Sequence, residues 1–127
     1  MARRNKVRVE LEGQEDLRRA FAQLKFGALR EAQAVIAESA EEIQWEARER
    51  VPVLSGETKK SITVVYRDGG RVARIGSGYY LARFHEQGTS KMDATPFMMP
   101  AYELVRPKYL SRIEAALNRA GRQAEQA

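Results

Sequence analysis

The sequence predicts an α+β fold, with a mainly antiparallel sheet of three to four strands packed against one long helix and a C-terminal helix. Three observations carry this expectation. Residues 6–12 alternate strictly between charged and apolar, the period of a half-buried strand. Residues 27–51 place apolar side chains every three or four positions, the period of an amphipathic helix. Residues 62–75 hold two β-branched runs separated by Asp68-Gly69-Gly70, a hairpin signal.

Each element follows from its own pattern. In the first strand Val7, Val9 and Leu11 share a face, and Gly13 ends it. Leu17, Ala20, Phe21 and Leu24 predict a short amphipathic helix over residues 14–24. The long helix is written by Leu29, Ala32, Ile36, Ala40, Ile43, Ala47 and Val51, and Pro52 closes it, because the residue before a proline is pushed out of the helical region. At about 100° per residue, Trp45 falls opposite the Ile36–Ile43 stripe, among Glu38, Glu41 and Glu49. That indole is either partly exposed or packed under a loop, or it is an anchor for a neighbouring subunit.

Residues 52–61 read as a polar loop. Residues 62–66 and 72–75 form the hairpin, with Val72 and Arg74 on one side and Ala73 and Ile75 on the other. Residues 79–86 are aromatic-rich and fit a third strand or a short helix equally well. Residues 87–96 form a loop. A C-terminal helix runs from residue 98 or 100 to about 120, with Pro100 in its first turn. Ala101, Leu104 and Val105 make its first half-face, and Leu110, Ile113 and Leu117 the second. Pro107 is expected to kink or restart it. Residues 1–120 thus make one domain, with residues 121–127 as a flexible tail.

The 127 residues suit one domain with a real core. With no cysteine and one histidine, thiolate chemistry is excluded and a zinc site would need mostly carboxylates. No cofactor is expected. No apolar run approaches the roughly 20 residues that span a bilayer, and the basic start lacks the apolar stretch of a signal peptide. The chain is therefore expected to be made in the cytoplasm, with no membrane partner. A net charge of +5 and a pI near 9.7 keep a small basic nucleic-acid-binding protein as the alternative reading. Against it, the bases are dispersed among 17 acids with no long basic run.

Catalytic constellations are missing from the sequence. His85 is followed by Glu86, but on a strand adjacent residues face opposite ways, so the pair is poorly placed as a base and its orienter. Gly76-Ser77-Gly78 lacks the third glycine and the Lys-Ser/Thr of a phosphate loop. Glu86 and Asp93 give no calcium spacing. The carboxylates Glu38, Glu41, Glu42, Glu46 and Glu49 form a solvated face or pair with a basic neighbour across an interface. The sequence predicts no enzyme.

Three segments in order carry a resemblance. They are ARERVPVLSGETKKSI at residues 47–62, YLARFHEQGT at residues 80–89 and ATPFMMPA at residues 94–101. They resemble the neck and minor tail (tail-completion, head–tail joining) proteins of long-tailed phages of the lambdoid and Hong Kong type. That family is also met in prophages and gene transfer agents. Glu57 and Thr58 stand where a leucine-like residue is more usual.

The resemblance implies a virion protein at the joint between capsid portal and tail tube, similar in fold to tail-terminator and head-closure rings. Its partners would be its own copies, as a hexamer or a dodecamer, together with neighbouring connector and tube proteins. DNA would pass through the lumen without specific binding. No catalytic residue is implied. The expected interface residues are Trp45, Leu54, Lys59, Lys60, Tyr80, His85, Phe97, Met98 and Met99. For Phe97–Met99 the alternative is that they seal the helix onto the sheet.

Overall fold

The computed structural model describes residues 7–11, 26–52 and 56–126. The helix expected over residues 14–24 and the interface candidate Leu54 lie outside the described residues. In chain order the elements are β1 (Val7–Leu11), α1 (Phe26–Arg50), α2 (Gly56–Ser61), β2 (Ile62–Arg67), β3 (Val72–Ser77), α3 (Ala82–Gln87) and α4 (Met98–Gln126). The three strands make one antiparallel sheet in the order β1-β3-β2. The fold is α+β, as the periodicities predict.

The sheet has two unlike faces because side chains alternate along each strand. Val9 and Leu11 of β1, Ala73 and Ile75 of β3, and Ile62 of β2 are buried on the inner face. The register sets Val9 and Val64 either side of Ile75, and Leu11 and Tyr66 either side of Ala73. Arg8, Glu10, Thr63, Val65, Arg67, Arg74 and Gly76 alternate with these residues and so take the outer face. The hairpin turn is a single 3-10 turn at Asp68–Gly70. Asp68, Gly69 and Gly70 all have positive φ, which two glycines adopt without steric penalty. Gln33 of α1 donates to the Gly69 carbonyl and pins the turn to the helix.

α1 lies on the inner face and packs most extensively against α4. Ala32, Ile36, Ala40, Ile43, Ala47 and Val51 are all buried, so the stripe read from the sequence is the stripe that packs. Its partner stripe on α4 is Ala101, Val105, Tyr109, Ile113 and Ala116. Here the sequence reading needs correction. Leu104 and Leu110 are 40% and 36% exposed, while Tyr109 and Ala116 take the core positions.

The cause is Pro107, which lies inside a continuous helix. Without a restart one phase persists from Ala101 to Ala116, at steps of three and four. The carbonyl that Pro107 leaves unbonded belongs to Glu103, four residues earlier, and both residues are exposed to water. The helix also extends past residue 120, where a flexible tail was expected, to Gln126.

Two more segments differ from expectation. The 56–61 part of the expected loop is the short helix α2, with Glu57 in its first turn and Lys59 and Lys60 in its last. All three charges suit the helix dipole. Thr58 is 1% exposed, so α2 turns a polar side chain into the interior. Residues 82–87, undecided between strand and helix, form α3.

Candidate functional site

The segment 80–101 is a corner built around two residues. Gly88 ends α3 with φ 75°, and its amide donates to the Phe84 carbonyl at 2.7 Å. A Cβ there would stand 2.8 Å from the Ala94 amide nitrogen and 2.9 Å from the Met92 carbonyl oxygen. Both are backbone atoms, so no side chain fits. Thr89 and Met92 bridge to each other, and Thr95 donates its amide to the His85 carbonyl at 2.7 Å. The chain thereby returns to α3 just before α4 begins.

Glu86 then caps α4 from outside. Its Oε1 accepts from the amides of Phe97 at 3.2 Å and Met98 at 2.8 Å, and its Oε2 accepts from Met99 at 3.3 Å. The first amides of a helix have no partner within it, and Phe97, the residue before the helix, has no side-chain oxygen to offer. A carboxylate at the positive end of a helix dipole is also electrostatically favoured. The reading of Glu86 as a residue facing away from His85 on a strand is thus replaced. It sits on a helix and does structural work at the start of α4.

The interface candidates separate into distinct groups. Phe97 and Met98 are 0% and 1% exposed. Their side chains seal the start of α4 onto the core, the alternative that the sequence left open for them. Met99 is 51% exposed, Tyr80 57% and Trp45 60%. Tyr79 and Tyr80 meet edge to face, with ring centroids 5.2 Å apart. Lys59 and Lys60 are exposed on α2, and His85 is half-buried on α3. In the corner the His85 carbonyl holds Thr95, and the neighbouring Glu86 holds the amides of residues 97–99. Trp45 and the two lysines stand on other elements.

A second polar cluster ties α1 to α4. Glu42 accepts from Lys108 at 3.1 Å and from Arg112 at 2.9 Å, and Arg112 also reaches the Ser39 hydroxyl at 3.3 Å. Burial pushes the Glu42 carboxyl up, but the hydrogen bonds and charges of Lys108 and Arg112 outweigh it. The group therefore sits below its ordinary value. On β2, burial and then the Glu41 charge raise the Tyr66 hydroxyl above its ordinary value.

The outer face of the sheet is the feature the sequence reading missed. Arg8, Arg67 and Arg74 rim a shallow depression of about 240 Å³ together with Thr63, Val65 and Gly76. Gly76 stands between Arg8 and Thr63 in the register and lines the depression with them. Alternation alone put charges on this face. Only the register shows that arginines 8, 67 and 74 converge.

Among the described residues no group of three or more His, Asp or Glu side chains is arranged to hold a metal ion. No described helix is long and apolar enough to cross a membrane. A family model described as "Bacteriophage HK97-gp10, putative tail-component" matches residues 15–88, more than half of the chain. The match covers α1, α2, the hairpin and α3, and it ends on Gly88, short of the 94–101 motif. No curated protein and no solved structure matches the chain.

Proposed function

The chain belongs to the HK97-gp10-like family of bacteriophage tail components, and from that premise we propose that it is a structural head–tail joining subunit. In this reading it acts in the neck or at tail completion and works as a ring, not as an enzyme. The family match over residues 15–88 is the observation that carries the proposal. Large apolar side chains left in water support it, since Trp45, Tyr80 and Met99 each expose more than half of their surface. Exposed aromatic and methionine side chains are characteristic of protein interfaces.

A hexamer is the expected ring, with a dodecamer as the other closed form, and DNA passes through the lumen without specific binding. Lys59 and Lys60, exposed at the end of α2, meet acidic surfaces of an adjoining ring. The test is in vitro joining of heads and tails prepared without this protein. Added wild-type chain is expected to restore joined particles, and the double variant Lys59→Glu, Lys60→Glu to restore far fewer. Full activity of the double variant would remove the lysines from the joint. Failure of the wild-type chain to join heads and tails would remove the function.

A further inference from the structure

Two surfaces that the core does not use complement each other in charge, and each has an apolar centre. The first is the outer face of the sheet. There Arg8, Arg67 and Arg74 surround Val65, itself 49% exposed, and the depression over Gly76. Glu10 holds Arg74 at 2.6 Å. Arg8 and Arg67 have no acidic partner among the described residues, and no described helix packs on this face.

The second surface is the outward stripe of α1. Glu38, Glu41 and Glu49 are exposed around Trp45. Other acids of this helix are committed, Glu42 to Lys108 and Arg112 and Glu46 to Arg50. The three on the stripe have no cationic partner among the described residues.

The two surfaces face opposite ways. α1 packs on the inner face of the sheet, and Trp45 lies about opposite the buried Ile36–Ile43 stripe of α1. Two copies related by a two-fold axis would set basic face against basic face, or acidic stripe against acidic stripe, and both repel. Head-to-tail contact sets unlike surfaces together, and this kind of contact closes into a ring when the rotation allows.

We propose that the basic outer sheet face of one copy seats the Glu38–Glu41–Trp45–Glu49 stripe of the next copy. The Trp45 indole enters the depression over Gly76 beside Val65, where arginine guanidinium groups can stack on its face. The carboxylates pair with Arg8 and Arg67 around it. This gives an apolar anchor at the centre and charge pairs at the rim, the usual anatomy of a specific interface. The inference rests on the ring-forming reading above and names the surface that reading leaves open.

Charge reversal and mixing test it, by native mass spectrometry of the full chain alone and on isolated tail tubes. Trp45 is the sole tryptophan, so its fluorescence reports the same contact. Wild type is expected to form a closed oligomer, with Trp45 emission moving to the blue. Arg67→Glu and Glu41→Lys are each expected to weaken assembly about tenfold or more, with unchanged circular dichroism. An equimolar mixture of the two variants is expected to recover assembly. In alternating copies the reversed sheet face meets the reversed stripe, and the native face meets the native stripe.

If both reversals assemble like wild type, the inference is wrong and the ring reading stands. If the wild-type chain is monomeric alone and on tail tubes, both fall together. If the reversal on the sheet face abolishes duplex DNA binding and leaves assembly intact, that face is a nucleic-acid site and the inference is overturned.

Discussion

The layer formed by α1 and α4 and the corner at residues 80–101 are held together by different physics. In the layer, buried apolar side chains from two long helices mesh along matching stripes. Many residues share the stabilisation. In the corner, a few polar groups direct the backbone. Glu86 caps three amides, the Thr95 amide bonds the His85 carbonyl, and Gly88 occupies a space that admits no Cβ. The contrast teaches that the layer sets whether the chain folds, while the corner sets where α4 starts and how Met99 is presented.

The largest expected effect is in the layer. Ile43→Ala removes a fully buried side chain and is expected to cost about 3 kcal/mol, from lost burial plus the cavity left behind. Denaturant unfolding measures it, and the loss should appear as a fall in global stability with the tryptophan environment unchanged before the transition. A cost under about 1 kcal/mol would mean that the layer is looser than its burial implies.

The corner should respond less in stability and more locally. Glu86→Ala is expected to cost about 1 to 2 kcal/mol, the range of a lost helix cap. Glu86→Gln, which keeps an acceptor but loses the charge, should cost less. Amide hydrogen exchange separates this from a core defect. Exchange at Phe97–Met99 should quicken well before exchange within α1 does. Equal acceleration in both regions would erase the distinction between corner and layer.

The smallest effect lies where the two helices of the layer are joined by charge. Because the Glu42 carboxyl is lowered below its ordinary value of 4.5, its contribution is fully present above that value. The contribution is lost as pH falls through the lowered folded value. The wild-type chain should therefore lose stability more steeply than Glu42→Gln below about pH 4.5. Parallel pH curves for the two would show that Lys108 and Arg112 contribute nothing through this carboxylate.

Most of the layer was legible in the sequence because α1 repeats at helical steps with no interruption, and the strands alternate cleanly. The phase of α4 was not, since a proline inside a helix can kink or restart it or be carried through, and each half offers leucines of its own as a face. Residues 79–86 were too short and too mixed in polarity for either period to win. The corner was legible only as motif letters. Glu86 acts on amides 11 to 13 residues further along the chain, a separation that no local periodicity reports. Asking what caps a helix whose preceding residue is Phe97 would have pointed to it. The arginines of the outer sheet face stand at positions 8, 67 and 74, and only strand register brings them together. By contrast, the outward position of Trp45 on α1 followed from the helical angle alone.

Ring formation by this tail component is the proposal on which the interface between copies rests. The most direct measurement is its particle mass, in solution and after mixing with isolated tail tubes, by native mass spectrometry and electron microscopy. The expected result is a closed oligomer of fixed copy number, a hexamer first, seated at the end of the tube. A strict monomer at every concentration that never binds the tube would contradict it.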